Sequence, residues 1–328
     1  MKTLAFMHTH IINEGLISEL GKIKKAQNEN LEVVLFINNA ERLIKNPKNK
    51  VIQELEFYGL KVKCLLCDKK VIKALNLPLN AFYGGSGNIG EVFWFNCDYS
   101  FYIMRHFFPD FDFYWQIQYD VFYNDRDYNS FFQTYKNDKN DLLITKFRKE
   151  KEDSQWGWIN DTEWAYNRNE IYGCLWTVSR MSANLIDALY KKRLEYGKIF
   201  AILSQEKAQE NRQWLLCEIF VATECKKMGF SAETLQNDKT TFGTEIDLTT
   251  TRLFDKPDKC LYHPVKGNFL KRLEYGSESK IREFEKLKEL EHFRGFAKFY
   301  AHKKLAKSRQ NTRAIRYPIK NFFKRLFG

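Results

Sequence analysis

The chain has 328 residues, with 53 Lys and Arg against 41 Asp and Glu, a formal excess of +12. At 44% hydrophobic and 16% aromatic it can bury a large core, which excludes disorder as its main state, and no apolar run approaches the roughly 18 to 20 residues of a transmembrane helix. Seven cysteines without framework spacing point to a reducing, cytoplasmic setting, and the N-terminus lacks the apolar length and cleavage site of a signal peptide.

In chain order, residues 3–7 (TLAFM) form a short buried strand and 15–25 an amphipathic helix. Residues 31–37 (LEVVLFI) are a second strand, 51–58 a helix, and 61–67 (KVKCLLC) a third strand ending in Asp68. Leu- and Val-rich runs separated by helical periods argue for a parallel sheet, whose ligands sit at the carboxyl ends of its strands. The polar residues at those ends are His8, Thr9, Asn38, Asn39 and Asp68, candidates for holding a nucleotide.

The stretch Gly85-Ser86-Gly87-Asn88-Ile89-Gly90 matches G-x-G-x-x-G, yet it follows no convincing strand and reads better as a loop. An aromatic helix over 92–108 stops at Pro109, and a strand over 113–121 (FYWQIQYDV) runs into polar residues. Asp127 caps a short helix over 128–135. Strands at 141–145 and 172–178 flank a Trp-rich loop at 155–164; helices follow at 182–190 and 212–228, then an irregular stretch over 236–265. Cys64 and Cys67, three apart on a strand, face opposite sides and suit packing rather than a metal. His8 and His10 make an equally poor metal pair, because His10 lies past the strand end.

A helix over 280–300 carries Ile281, Phe284, Leu287, Leu290 and Phe293 in one stripe. After Pro318, Ile319, Phe322, Phe323, Leu326 and Phe327 fall on one face with Lys320, Lys324 and Arg325 on the other, the pattern of an interfacial helix. Residues 292–328 hold 11 basic side chains and no acidic one, while the other 291 residues net +1. The excess therefore points to an anionic membrane surface contacted by 292–328. Nucleic acid fits less well, because the aromatics are segregated rather than interleaved as stacking platforms.

The run Trp94-Phe95-Asn96-Cys97-Asp98-Tyr99, followed by Pro109 to Val121 with its Tyr114-Trp115-Gln116-Ile117-Gln118-Tyr119-Asp120-Val121, resembles a bacterial branch of GT-A-type glycosyltransferases. In that branch a "YYW-x-x-E-Y-D-V" strand carries the variant DxD motif. The likeness continues through Phe131-Phe132, Asp141-Leu142-Leu143, Trp156-Gly157-Trp158 and His263-Pro264-Val265-Lys266, and covers roughly residues 1 to 270.

The resemblance implies an α/β fold: a Rossmann-like, mixed but mainly parallel sheet flanked by helices, over 1–275, with a helical, basic extension at 276–328. It implies transfer of a sugar from a nucleotide-sugar donor to a lipid-linked or cell-surface glycan of the lipopolysaccharide or capsule type. The enzyme would sit peripherally on the inner face of the cell membrane. Asp120 would be catalytic, holding a divalent cation (Mn²⁺ or Mg²⁺) at the donor diphosphate with Gln118 and His263. Gln118 stands where the branch has Glu, and a neutral amide weakens the case for the metal, so His263 and Lys266 gain weight on the diphosphate. Asp98 would lie near the donor, and Trp156, Trp158 and Trp164 would stack on the acceptor sugar. Glu218, a carboxylate in an apolar helix, would have the raised pKa of a general base. The rivals are another Rossmann-like nucleotide enzyme (a methyltransferase or oxidoreductase using 85–90) and a basic nucleic-acid-binding protein.

Overall fold

The structure, a computed structural model, describes residues 1–38, 40–44, 50–81, 84–85, 88–150, 159, 162–206, 214–236 and 259–263. The expected C-terminal helices, Lys266, Trp156 and Trp158 lie outside the described residues.

The first unit is β1 (Thr3–Thr9), α1 (Glu14–Lys24) and β2 (Leu31–Asn38). Both strands are almost wholly buried, as their unbroken apolar runs require of strands covered on two faces. Asn13 starts α1 by accepting the Leu16 N–H at 2.9 Å. A single turn, α2 (Ala40–Leu43), then leads to β3 (Ile52–Phe57) and β4 (Leu60–Cys67). The helix expected over 51–58 is thus a strand. IQELEF alternates with period two, and Tyr58 and Gly59, at φ of 48° and 81°, make a two-residue turn with both residues left-handed, the geometry that closes an antiparallel hairpin.

Next come α3 (Lys69–Ala74), the two-residue strands β5 (Asn80–Ala81) and β6 (Gly84–Gly85), α4 (Ile89–Phe95) and α5 (Tyr99–Phe107). The single helix expected over 92–108 is broken at 96–98. There the Asn96 amide turns back to donate to Val92 O and to Asn80 O, and its Oδ1 takes the Trp214 indole N–H at 2.6 Å.

β7 (Phe113–Gln118), β8 (Phe122–Tyr123), α6 (Asn129–Thr134), β9 (Leu142–Lys149), β10 (Tyr172–Ser182), α7 (Ala183–Glu206), α8 (Cys217–Lys227), β11 (Ala232–Thr234) and β12 (Leu261–Tyr262) complete the described chain. Two of these strands, β11 and β12, fall in or beside the stretch expected to be irregular.

The main sheet runs β11-β9-β10-β7-β1-β2-β4-β3. Its β7-β1-β2-β4 centre and its β9-β11 edge are parallel, whereas β10 is antiparallel to both neighbours and β3 to β4. This is the mixed, mainly parallel, helix-flanked α/β sheet that the resemblance implies. One face packs α3, α4, α5, α7 and α8 around Phe6, Phe36, Tyr114 and Trp176. The other packs α1 and α6 around Met7, Leu35, Trp115 and Ile117. Cys64 and Cys67 belong to opposite cores, as their spacing predicts. No helix among the described residues is long and apolar enough to cross a membrane.

Candidate functional site

The carboxyl ends of β1, β2 and β7 lie side by side, so residues 8–10, 38 and 118–120 share one rim of the sheet. Beyond Gln118 the chain turns tightly, with Val121 N–H donating to Gln118 O at 3.1 Å, and this turn holds Asp120 against the protein at 8% exposure. β8 follows immediately and pairs antiparallel with β12, Phe122 opposite Tyr262 and Tyr123 opposite Leu261. That small ribbon delivers His263 to the rim. Its Nε2 lies 3.4 Å from Asp120 Oδ1.

The contact is too misaligned to be a hydrogen bond: Asp120 Oδ1 and His263 Nδ1 are both buried without a hydrogen-bond partner among the described residues. Orphaned buried polar atoms are costly, so Asp120 Oδ1 at the rim suits a ligand; the orphaned His263 atom, Nδ1, is the ring nitrogen other than the one that approaches Asp120. Two ligand atoms at about 2.1 Å from a shared ion stand roughly 3.0 to 3.5 Å apart, and Asp120 Oδ1 and His263 Nε2, 3.4 Å apart, have the spacing that fits a divalent cation. No group of three or more His, Cys, Asp or Glu side chains among the described residues could enclose a metal. An ion here would take its remaining ligands from water and phosphate, as Mg²⁺ commonly does.

Gln118 does not complete the pair by itself. Its Nε2 donates to Cys97 Sγ at 3.7 Å, which engages the amide with the α4–α5 junction. His10 sits just past β1, packed edge-on against Tyr119 at 4.7 Å; burial lowers its pKa, and Asp120 pulls the other way.

His8 is buried and its pKa is pushed down to about 3, first by burial and then by the neighbouring His10. Its protonation is decided by a chain of side chains beneath the rim. Trp176 Nε1 donates to Gln116 Oε1 at 2.8 Å, so the Gln116 amide faces His8 Nδ1, 3.0 Å away, as a donor. Nδ1 is therefore an acceptor, and the imidazole is neutral with its proton on Nε2. Asn38, at the end of β2, is close enough to oppose the His8 shift, yet its buried Oδ1 makes no well-aligned hydrogen bond among the described residues.

The other expected site residues have structural partners. Thr9 Oγ1 donates to Ile11 O and accepts from Ile11 N–H, closing its own turn. Asp68 caps α3 by accepting from the N–H groups of Lys70 and Val71. Asp98 has no exposed surface: Arg193 grips both its oxygens at 2.7 and 2.9 Å, and Tyr102 donates to it at 2.7 Å. Trp164 packs on Tyr196, Phe200 and Trp214, with ring centroids 5.2 to 6.3 Å apart.

Glu218 opens α8. Between Leu175 and Ser179 the pairing of β10 with β9 slips, and the Trp176 N–H donates instead to Glu218 Oε1 at 2.8 Å. Burial pushes this carboxyl up to about 7, against the Trp176 N–H and Arg148, which hold it down. Val178 of β10 pairs with Ile117, so the antiparallel register carries Trp176 and Glu218 toward the carboxyl end of β7.

The glycine-rich stretch does not form a dinucleotide cradle. Gly84 and Gly85 belong to a two-stranded sheet apart from the main one, Ser86 and Gly87 lie outside the described residues, and Asn88 caps the seven-residue α4 by accepting from Gly90 N–H.

Among solved structures, the chain is similar to mouse xyloside xylosyltransferase 1 in its apo form. Identity is 13% and the TM-score 0.42, covering 82% of this chain and 97% of that one. No protein-family model matches the chain, and no curated protein matches it.

Gln116 and Trp176 were not singled out by sequence, although a polar residue inside the buried FYWQIQ strand was a signal that something across the sheet must satisfy it.

Proposed function

We propose that this chain is a glycosyltransferase that moves a sugar from a nucleotide-sugar donor to a lipid-linked or cell-surface glycan. The observation that carries the proposal is the 3.4 Å approach of His263 to Asp120 at the carboxyl rim of a largely parallel sheet, with a buried, unsatisfied atom on each. An acidic and a neutral donor held together there suit the diphosphate end of such a donor, with Lys266 following on the same segment.

Asp120 and His263 would hold a divalent cation. When bound, that ion supplies positive charge to the leaving diphosphate. Neutral His8 and Asn38 line the rim where β1 and β2 end, and they hold uncharged donor and acceptor groups toward the nucleoside. Glu218 stands on the acceptor side; a carboxyl poised near neutrality takes the acceptor hydroxyl proton as the new glycosidic bond forms. Residues 292–328 keep the enzyme against an anionic membrane surface, where a lipid-linked acceptor resides.

A thermal-shift screen of nucleotide sugars against S-adenosylmethionine and NAD tests the class. Nucleotide sugars are expected to stabilise the wild type and not Asp120→Ala, and nucleoside diphosphate release is expected to vanish in that variant. Stabilisation by S-adenosylmethionine or NAD alone, or full activity in Asp120→Ala, would reject the proposal.

A further inference from the structure

One charged residue in α1 is on the wrong face for its helix. Leu16, Ile17, Leu20 and Ile23 pack into the core, and Glu19 is buried among them at 1% exposure. A carboxylate there requires partners, and each of its oxygens has them. Oε1 accepts from the Tyr123 backbone N–H and from the Tyr128 hydroxyl, both at 2.8 Å. Oε2 accepts from Lys22 Nζ at 2.8 Å, and the same ammonium donates to the Tyr123 carbonyl at 2.5 Å. Lys22 also lies over the Phe122 ring, 4.2 Å from its centroid.

The ion pair thus grips both main-chain groups of Tyr123. These groups belong to the edge of β8 that faces away from β12. On the β12 side, Asn124 N–H donates to Cys260 O and Lys259 N–H to Asn124 O. Glu19 and Lys22 occupy the place a third strand would fill. A ribbon of two residues per strand cannot hold its own position. Yet this ribbon carries Asp120 two residues before Phe122 and His263 directly after Tyr262, so its position decides whether the two side chains meet.

We infer that Glu19, paired with Lys22, is the positioning residue of the Asp120–His263 site: it locks the β8–β12 ribbon to α1 and so sets the separation of the two ligating groups. The inference rests on the proposed role of that pair, and its test separates the two.

In the full chain, Glu19→Gln keeps an acceptor for Tyr123 and removes the charge that holds Lys22; Lys22→Met removes the other half. Hydrogen–deuterium exchange is expected to speed up in 119–128 and 259–263 in both variants, with β1, β2 and β7 unchanged. Mn²⁺ binding, read by electron paramagnetic resonance, is expected to weaken about 10- to 100-fold in Glu19→Gln, the range typical of groups that orient metal ligands. In an Asp120→Asn background, Glu19→Gln should cause no further loss. Tyr128→Phe, which deletes one bond to Glu19 and no charge, serves if Glu19→Gln unfolds, with the same exchange pattern at smaller amplitude. Unchanged exchange in the ribbon, acceleration spread through the whole sheet, or an additive loss of Mn²⁺ affinity in the double variant would overturn the inference. A wild type that binds no Mn²⁺ would instead sink the metal role of Asp120 and His263, and the exchange pattern would still decide the clamp.

Discussion

Replacing Glu218 by Gln separates what this carboxyl does for the fold from what it does for turnover. The Gln Oε1 still accepts the Trp176 N–H, so the slipped segment of β10 keeps its partner. The replacement removes the ionisation. In the folded chain the Glu218 carboxyl titrates at about 7, against 4.5 in the open chain, because burial disfavours the anion. The folded state therefore keeps a proton that the unfolded state has released, and stability falls as pH rises through the window from 4.5 to 7. At 1.36 kcal/mol per pH unit the deficit is about 3 kcal/mol by pH 8 and below about 1 kcal/mol at pH 5; solvent reaching this partly covered group trims both figures. Urea unfolding at pH 5 and pH 8 is the assay. The Gln variant should gain about 2 to 3 kcal/mol on the wild type between those pH values. If Glu218 is the base, turnover should drop by about 10²- to 10⁴-fold in the same variant. Equal pH slopes for the two proteins would refute the burial argument. Undiminished turnover in the stabilised variant would remove Glu218 from the chemistry.

Three other outcomes follow from the same structure. Asp98→Ala strands a fully buried Arg193 guanidinium, whose charge is opposed by burial and sustained by Asp98, with Tyr99 and Tyr102, and should cost about 3 to 5 kcal/mol in chemical denaturation; a loss under about 1 kcal/mol would contradict the pairing. The His8 imidazole, followed by NMR, should stay neutral well below pH 5. Acid then destabilises the protein below pH 6.5, because only the unfolded chain takes up that proton; a midpoint near 6.5 would reject the buried network. Truncation before Thr312 should abolish sedimentation with anionic liposomes, since each Lys or Arg near such a surface contributes about 1 kcal/mol, and retained binding would refute the role of the tail.

Local chemistry was enough to place the strands whose side chains are buried on both faces, but not the caps: α6 starts at Tyr128 without a side-chain cap, where Asp127 was expected to supply one. TLAFM, LEVVLFI and FYWQIQ have no polar face to offer solvent, so a covered parallel sheet is the arrangement that buries them, whereas Asp68, expected at a ligand, turned out to start a helix. Where a segment could satisfy two periods, a distant partner chose. IQELEF became a strand because β4 offered an edge and Tyr58-Gly59 could turn back onto it. The motif residues themselves stood in the sequence, but their grouping did not. Asp98 belonged by motif with the donor and by packing with Arg193, because a buried carboxylate goes to the cation the fold supplies. Asp120 and His263 meet only because two-residue strands far apart in the sequence pair with each other. Hydrophobic pattern is a property of neighbours in the chain, and it determined the covered central strands of the sheet. Hydrogen-bond satisfaction across the sheet is a property of neighbours in space, so the site and the Glu19 clamp behind it were decided by the tertiary structure alone.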